Sequence, residues 1–194
     1  MRRKDKLQDT QKAIEIMQKA PYCVLSASPS SVCEFKPHQK AYTENGELNS
    51  EYQIFSIPVS FVYHENYIYI HTAKAGRKIS FFNNGSRVCL VFVGQVQVPN
   101  IYSNDELEQI AIDDPKKLGS YVFTTGYEST IAYGTISLLK DKESQDRAMR
   151  LLCQKYMPDK IAFVQTSVDF ERKHLNTYAI KLEQISAKAK YFDN

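Results

Sequence analysis

Ile70-His71-Thr72-Ala73-Lys74-Ala75-Gly76-Arg77-Lys78-Ile79 is the stretch on which the reading of this chain turns. An alternating segment, Tyr67-Ile68-Tyr69-Ile70-His71-Thr72, runs here into small residues and then into two adjacent cations. Residues 75–84 place Ile79 and Phe82 on one helical face ahead of Gly85, so the pattern predicts a helix that opens at the cations. Backbone N–H groups at a helix start, the positive end of its dipole and neighbouring cations together suit a phosphate. Arg77 can grip two oxygens at once, Lys78 adds a point charge, and Thr72 offers a hydroxyl at the strand end. A plainer reading stands beside this one, a solvated basic turn at the start of a surface helix.

On either side of the turn the pattern is that of strands. Over residues 52–72 the period is two: Phe55, Ile57, Val59, Phe61 and Tyr63 share one face, and His64-Glu65-Asn66 separates them from the strand ending at Thr72. That predicts a hairpin. Within its second arm Tyr67, Tyr69 and His71 lie on one face, and Ile68, Ile70 and Thr72 on the other. Upstream, Asp9 or Thr10 caps a short amphipathic helix with Ala13, Ile14, Met17 and Ala20 inward, ended by Pro21. Residues 22–27 read as a first buried strand, and the polar residues 28–53, with two prolines and Asn45-Gly46, as an excursion.

Downstream, residues 88–93 form a near-continuous apolar strand, and residues 95–118 read as a long surface loop or short helix. Residues 123–139 alternate across Thr130, Ala132, Gly134, Ile136 and Leu138. A helix with Ala148, Leu151, Leu152 and Tyr156 follows, up to Pro158, and residues 178–185 make the final strand. The sum is about six strands with short helices, in a single domain over residues 1–194.

Composition excludes several classes. A chain of 194 residues with 43% hydrophobic and 24% charged residues can bury a core without disulfides or metals. Its apolar runs fall far short of the roughly 20 residues of a membrane-spanning helix, so no span is predicted. The basic start Met1-Arg2-Arg3-Lys4-Asp5-Lys6 precedes polar rather than apolar residues, unlike a signal peptide. Cys23, Cys33, Cys89 and Cys153 are far apart, which suits the reducing cytoplasm. A net charge of +3 is too small for a nucleic-acid binder. Cys33, His38, His64 and His71 lack the close pairs of a zinc site, so no metal is expected. Ser129 and Cys89 stand in strands without a nucleophile motif.

Several segments, taken in order, carry a resemblance. The turn Thr72-x-x-x-Gly76-Arg77-Lys78-Ile79 resembles the phosphate-gripping turn of the FMN-binding split barrel superfamily, which includes pyridoxamine 5'-phosphate oxidase and the nitroimidazole-resistance reductases. Arg2-Arg3-Lys4-Asp5, Ile57-Pro58-Val59-Ser60-Phe61, Asn83-Asn84-Gly85-Ser86-Arg87-Val88-Cys89-Leu90, Gly126-Tyr127-Glu128-Ser129-Thr130-Ile131-Ala132-Tyr133-Gly134 and the helix ending in Lys155-Tyr156 are similar to the nitroimidazole-resistance branch.

The resemblance implies a mainly β (α+β) fold, a six-stranded antiparallel split β-barrel with peripheral helices, acting as a homodimer. It implies FMN, its phosphate held by Arg77, Lys78 and Thr72, its ring lined by Ile57, Pro58, Val59, Ser60 and His71, with Ser129 nearby. The implied activity is an oxidoreductase that passes electrons from NAD(P)H to a small acceptor, nitroaromatic- or quinone-like. A non-catalytic flavin-storage protein, or a split barrel holding heme or F420, is the alternative. His71 reads either as a structural strand-end histidine or as a catalytic hydrogen-bonding or proton-donating group beside the flavin. The chain departs from the family in its longer segments at 28–53 and 95–118 and in Ile185-Ser186-Ala187-Lys188 after the last strand.

Overall fold

A computed structural model of the chain describes residues 4–28, 45 and 54–192. A two-residue strand β1 (Leu7–Gln8) precedes α1 (Thr10–Lys19), and β2 (Cys23–Ala27), β3 (Phe55–Val59), β4 (Val62–His64) and β5 (Tyr67–Ala73) follow. Next come β6 (Arg87–Gln97), α2 (Asn104–Asp113), α3 (Pro115–Lys117), β7 (Gly126–Leu138), α4 (Lys142–Tyr156), α5 (Val164–Glu171) and β8 (Leu175–Lys190). The described residues thus hold eight strands and five α-helices, where the sequence pattern predicted about six strands. The sheet order is β3-β2-β6-β7-β8-β5-β4, with β1 on β8. The sheet is antiparallel and open, the split form of a barrel.

The chain divides into two compact units. The first comprises Met1–Ala20, Phe92–Ile131 and Ser186–Asn194. Asp9 is the helix cap there, its carboxylate accepting from the Lys12 N–H at 2.7 Å, and α1 buries Ala13, Ile16 and Met17. Thr130, fully buried on β7, satisfies its hydroxyl by donating to the Ala13 carbonyl at 3.1 Å. The stretch 95–118, expected as a loop or short helix, contains the end of β6, all of α2 and α3. Ser103 and Glu106 form a capping box, a start signal that was present in the sequence.

The second unit comprises Pro21–Val91 and Ala132–Ile185. Its core is apolar: Leu25, Phe61, Ile68, Ile70, Leu90, Ile136 and Ile180 have no exposed surface. The arm predicted over residues 52–63 is two strands. β3 pairs with β2, Leu25 opposite Ile57, whereas β4 pairs with β5, Tyr63 opposite Ile68. The period breaks because Phe61 and Val62 are both buried, and the Phe61 N–H donates to the Tyr156 hydroxyl at 3.0 Å while its C=O accepts from the same hydroxyl at 3.1 Å. The Pro21 carbonyl stands 2.8 Å from the same hydroxyl and shares its proton, so α4 ties down the chain where it changes partner. The final strand, predicted over 178–185, runs from Leu175 to Lys190.

Asp146 on α4 joins α5 by accepting from Lys142 at 2.8 Å, from Gln165 at 3.3 Å and from Arg172. Burial alone would raise this carboxyl, but the three donors outweigh it and hold it at about 2, below its ordinary 3.8. A folded-state value below the unfolded one stabilises the fold fully above 3.8, and the contribution disappears as pH falls through 2. Equilibrium unfolding between about pH 5 and pH 2 is expected to show this loss. Asp146→Asn should flatten that part of the profile; an unaltered slope would mean the cluster contributes nothing.

Candidate functional site

The candidate site belongs to the second unit and is built on β5, the turn after it, and β3. β5 alternates as its sequence requires: Ile68, Ile70 and Thr72 are buried, Tyr67 and Tyr69 half-buried, His71 exposed. Its register with β8 pairs His71 with Thr177 and Thr72 with Asn176. The Thr72 hydroxyl donates to the Ala73 carbonyl at 3.1 Å, which leaves its oxygen lone pairs for an incoming donor. After Ala73 the chain turns at Gly76, whose φ of 100° is a backbone state that glycine adopts without strain.

The helix predicted over residues 75–84 is a single 3₁₀ turn, Arg77–Ser80. Local side chains end it: the Ser80 hydroxyl donates to the Arg77 carbonyl at 2.8 Å, and the Asn83 amide to the Ser80 carbonyl at 3.0 Å. So short a turn carries little macrodipole, and the attraction for an anion rests on the side chains instead. Lys74, Arg77 and Lys78 supply three positive charges within five residues, and residues 72–80 include no acidic side chain. The Lys78 ammonium donates to the Ala75 carbonyl at 2.9 Å, which folds it back over the turn. The Arg77 guanidinium lies 5.7 Å from the centre of the Phe81 ring and is exposed.

Phe81 links the turn to β3. It stacks on Phe55 at 5.2 Å between ring centres, and Phe82 meets Phe55 edge-on at 6.0 Å. The segment expected to line a cofactor ring, Ile57 to Ser60, follows Phe55 along the chain. Its members differ: Ile57 and Val59 are half-buried, whereas Pro58 and Ser60 are exposed. Ser129, on β7, lies in the first unit and is half-buried.

A concavity of about 300 Å³ opens beside Ile54, the residue before β3, and neither residues 57–60 nor the basic turn lines it. Ser26, Ile54, Arg87, Cys89 and Tyr133 line it, and Ser26 shares a hydrogen bond of 2.8 Å with Ser56. These residues escape sequence reasoning, because β2, β6 and β7 meet only through sheet pairing. Their one local signal is Tyr133, an aromatic residue 44% exposed on a strand. Burial pushes the Cys89 thiol up, against a smaller opposing effect of the Tyr133 hydroxyl, so it is protonated at neutral pH. His71 moves the opposite way: although its ring is exposed, crowding by protein atoms lowers it, which favours neutral imidazole. Among the described residues no group of three metal-ligating side chains occurs, and no helix is long and apolar enough to cross a membrane. Cys33 and His38 lie outside the described residues, as does nearly all of the excursion at 28–53.

The fold is the split β-barrel that the resemblance implied, and solved structures of that architecture match it over almost its whole length. No family model and no curated protein matches the sequence. A candidate 5-nitroimidazole antibiotic resistance protein from Bacteroides thetaiotaomicron is 16% identical, with a TM-score of 0.59, over 94% of this chain and 85% of its own. A flavocytochrome from Azotobacter vinelandii is 14% identical, with a TM-score of 0.65, over 100% of this chain and 75% of its own. An FAD and heme binding protein from Mycobacterium smegmatis is 12% identical, with a TM-score of 0.61, over 97% of this chain and 76% of its own. At such identities the likeness is one of fold.

Proposed function

We propose that this chain is a flavoprotein oxidoreductase that holds FMN by its phosphate at Arg77, Lys78 and Thr72. The observation that carries the reading is the position of the basic turn. It is exposed, contains no acidic residue, and is fastened through Phe81 to Phe55 of β3. A guanidinium and an ammonium, with the Thr72 hydroxyl turned from the Ala73 carbonyl to donate to the ligand instead, make a donor set fitted to a phosphate dianion, and a shallow apolar concavity fits a flat ring. The recurrence of this fold in a flavocytochrome and in FAD-binding proteins supports the same assignment.

When bound, a flavin supplies the electron chemistry, taking two electrons from NAD(P)H and passing them to a small nitroaromatic- or quinone-like acceptor. The protein's residues position and shield. Pro58 and Ser60 present an exposed strand face, and His71 presents a neutral imidazole whose N–H serves as a hydrogen-bond donor rather than as a strong acid. We assign the chain to a homodimer, with the exposed strand faces as the shared surface.

FAD is the second reading, favoured by the FAD-binding proteins that share the fold. One preparation separates the possibilities: the purified protein is expected to show flavin bands in its visible spectrum, and the mass of the extracted chromophore distinguishes FMN from FAD. A colourless protein that takes up neither flavin would remove the proposal. NADH or NADPH oxidation, followed with and without a nitroaromatic acceptor, distinguishes an enzyme from a flavin store.

A further inference from the structure

The first unit carries a cavity of about 580 Å³, within the range of small-molecule sites. Four aromatic residues line it, Tyr102, Tyr121, Tyr191 and Phe192, together with Ser120 and Thr124. Two of the rings are fixed by the fold. The Tyr191 hydroxyl donates to the buried Glu128 at 2.6 Å, and Phe192 packs on Gly126, where a β-carbon would come to 2.9 Å from the ring. The other two rings offer their hydroxyls. Among the described residues neither the Tyr102 nor the Tyr121 hydroxyl has a hydrogen-bond partner, and Tyr121 is 51% exposed. The Ser120 hydroxyl donates to the Lys116 carbonyl at 3.1 Å, so its oxygen lone pairs serve as an acceptor.

The ammonium groups of the lining are taken up within the protein. Lys190 donates to the Ser120 carbonyl at 2.7 Å and to the Thr124 hydroxyl at 2.6 Å, and Lys6 stands 3.9 Å from Asp5. The neighbouring carboxylate is engaged too: Glu128 accepts from Lys12 at 3.0 Å and from the Gln95 N–H at 3.3 Å besides Tyr191. What remains for a ligand is uncharged, ring faces and hydroxyl groups. Lysines act here on the rings instead. Lys190 lies 4.7 Å from the centre of Phe192, Lys12 lies 5.6 Å from Tyr191, and Lys117, outside the lining, lies 5.2 Å from Tyr102. A cation beside a ring draws on its π electrons, and a ring so polarised stacks best on an electron-rich partner. A ring bearing a hydroxyl group is electron-rich, and its O–H matches the oxygens of Ser120, Tyr102 and Tyr121.

We propose that this cavity binds a neutral, hydroxylated aromatic molecule, stacked on the tyrosines and hydrogen-bonded through its hydroxyl group. The site is carried by the first unit alone and does not depend on the flavin assignment. Calorimetric titration of the full chain, as purified, with 2-naphthol at neutral pH tests it. 2-Naphthol is expected to bind with a Kd below about 1 mM. Decahydro-2-naphthol, which keeps the hydroxyl but lacks the aromatic ring, and 2-methoxynaphthalene, which keeps the ring but donates no hydrogen bond, should each bind about tenfold more weakly or worse. Tyr121→Leu and Tyr102→Leu should each weaken 2-naphthol about threefold or more, while Arg77→Ala leaves it unchanged. Thermal unfolding of each variant checks that the fold persists; should Tyr102→Leu unfold, the more exposed Tyr121 decides. 2-Naphthol held at a flavin site instead would keep its affinity in Tyr121→Leu. That result, absent binding, or equal binding of either analogue would overturn the proposal.

Discussion

Replacing Arg77 and Lys78 together by alanine is expected to raise the Kd for FMN about 100-fold or more and to leave the fold intact. Each hydrogen bond from a charged donor contributes about 1.5–3 kcal/mol, and about 1.4 kcal/mol is a factor of ten in affinity. Losing one such donor should cost about tenfold, and losing both about the square of that. The effect on stability should be small, because the Arg77 side chain is exposed and Lys78 only closes the turn onto the Ala75 carbonyl at 2.9 Å. Riboflavin, which lacks the phosphate, provides the internal control. If the double variant weakens riboflavin as much as FMN, the turn acts on the ring or on the fold, and the phosphate assignment fails. Unchanged FMN affinity would refute it outright.

The largest effect on stability is expected at Gly134, in the middle of β7. A β-carbon built there overlaps the backbone carbonyl oxygen of Lys181 on the adjacent β8, and comes to 3.0 Å from the Ile180 side chain. Both obstacles are held rigidly: Ile180 is fully buried, and Lys181 pairs across β8 with Tyr67 of β5. Overpacking a well-filled core commonly costs about 1–3 kcal/mol, and with backbone as the obstacle Gly134→Ala should fall at or above the top of that range. Denaturant unfolding measures it. Gly119→Ala is the matched control, because a β-carbon at that position meets nothing within 4 Å, and its effect should stay within about 0.5 kcal/mol. Similar midpoints for the two variants would show that β7 and β8 separate there at little cost.

Much of the fold could be read along the chain because its signals are local. Alternation set the two faces of β5, with Ile68, Ile70 and Thr72 buried and His71 exposed. Helical spacing placed Ala13 and Met17 of α1 and Ala148 and Leu152 of α4 in the core. The errors came where other contacts overrode the local pattern. Tyr156 diverts the backbone at Phe61, so one apparent strand becomes β3 and β4 with different neighbours. Ser80 and Asn83 close the turn after Arg77 before an α-helix can form.

At the candidate site, the chemistry resides in single residues and is legible without a fold: the charges of Lys74, Arg77 and Lys78, the hydroxyl of Thr72, and the glycine that lets the chain turn between them. What packs on that turn, and the concavity elsewhere in the unit, are products of folding. Phe55 reaches Phe81 from 26 residues earlier in the chain, and Ser26, Cys89 and Tyr133 enclose one concavity from three strands. Charge and backbone freedom belong to each residue alone, whereas a concavity exists only after sheet pairing has placed distant residues side by side.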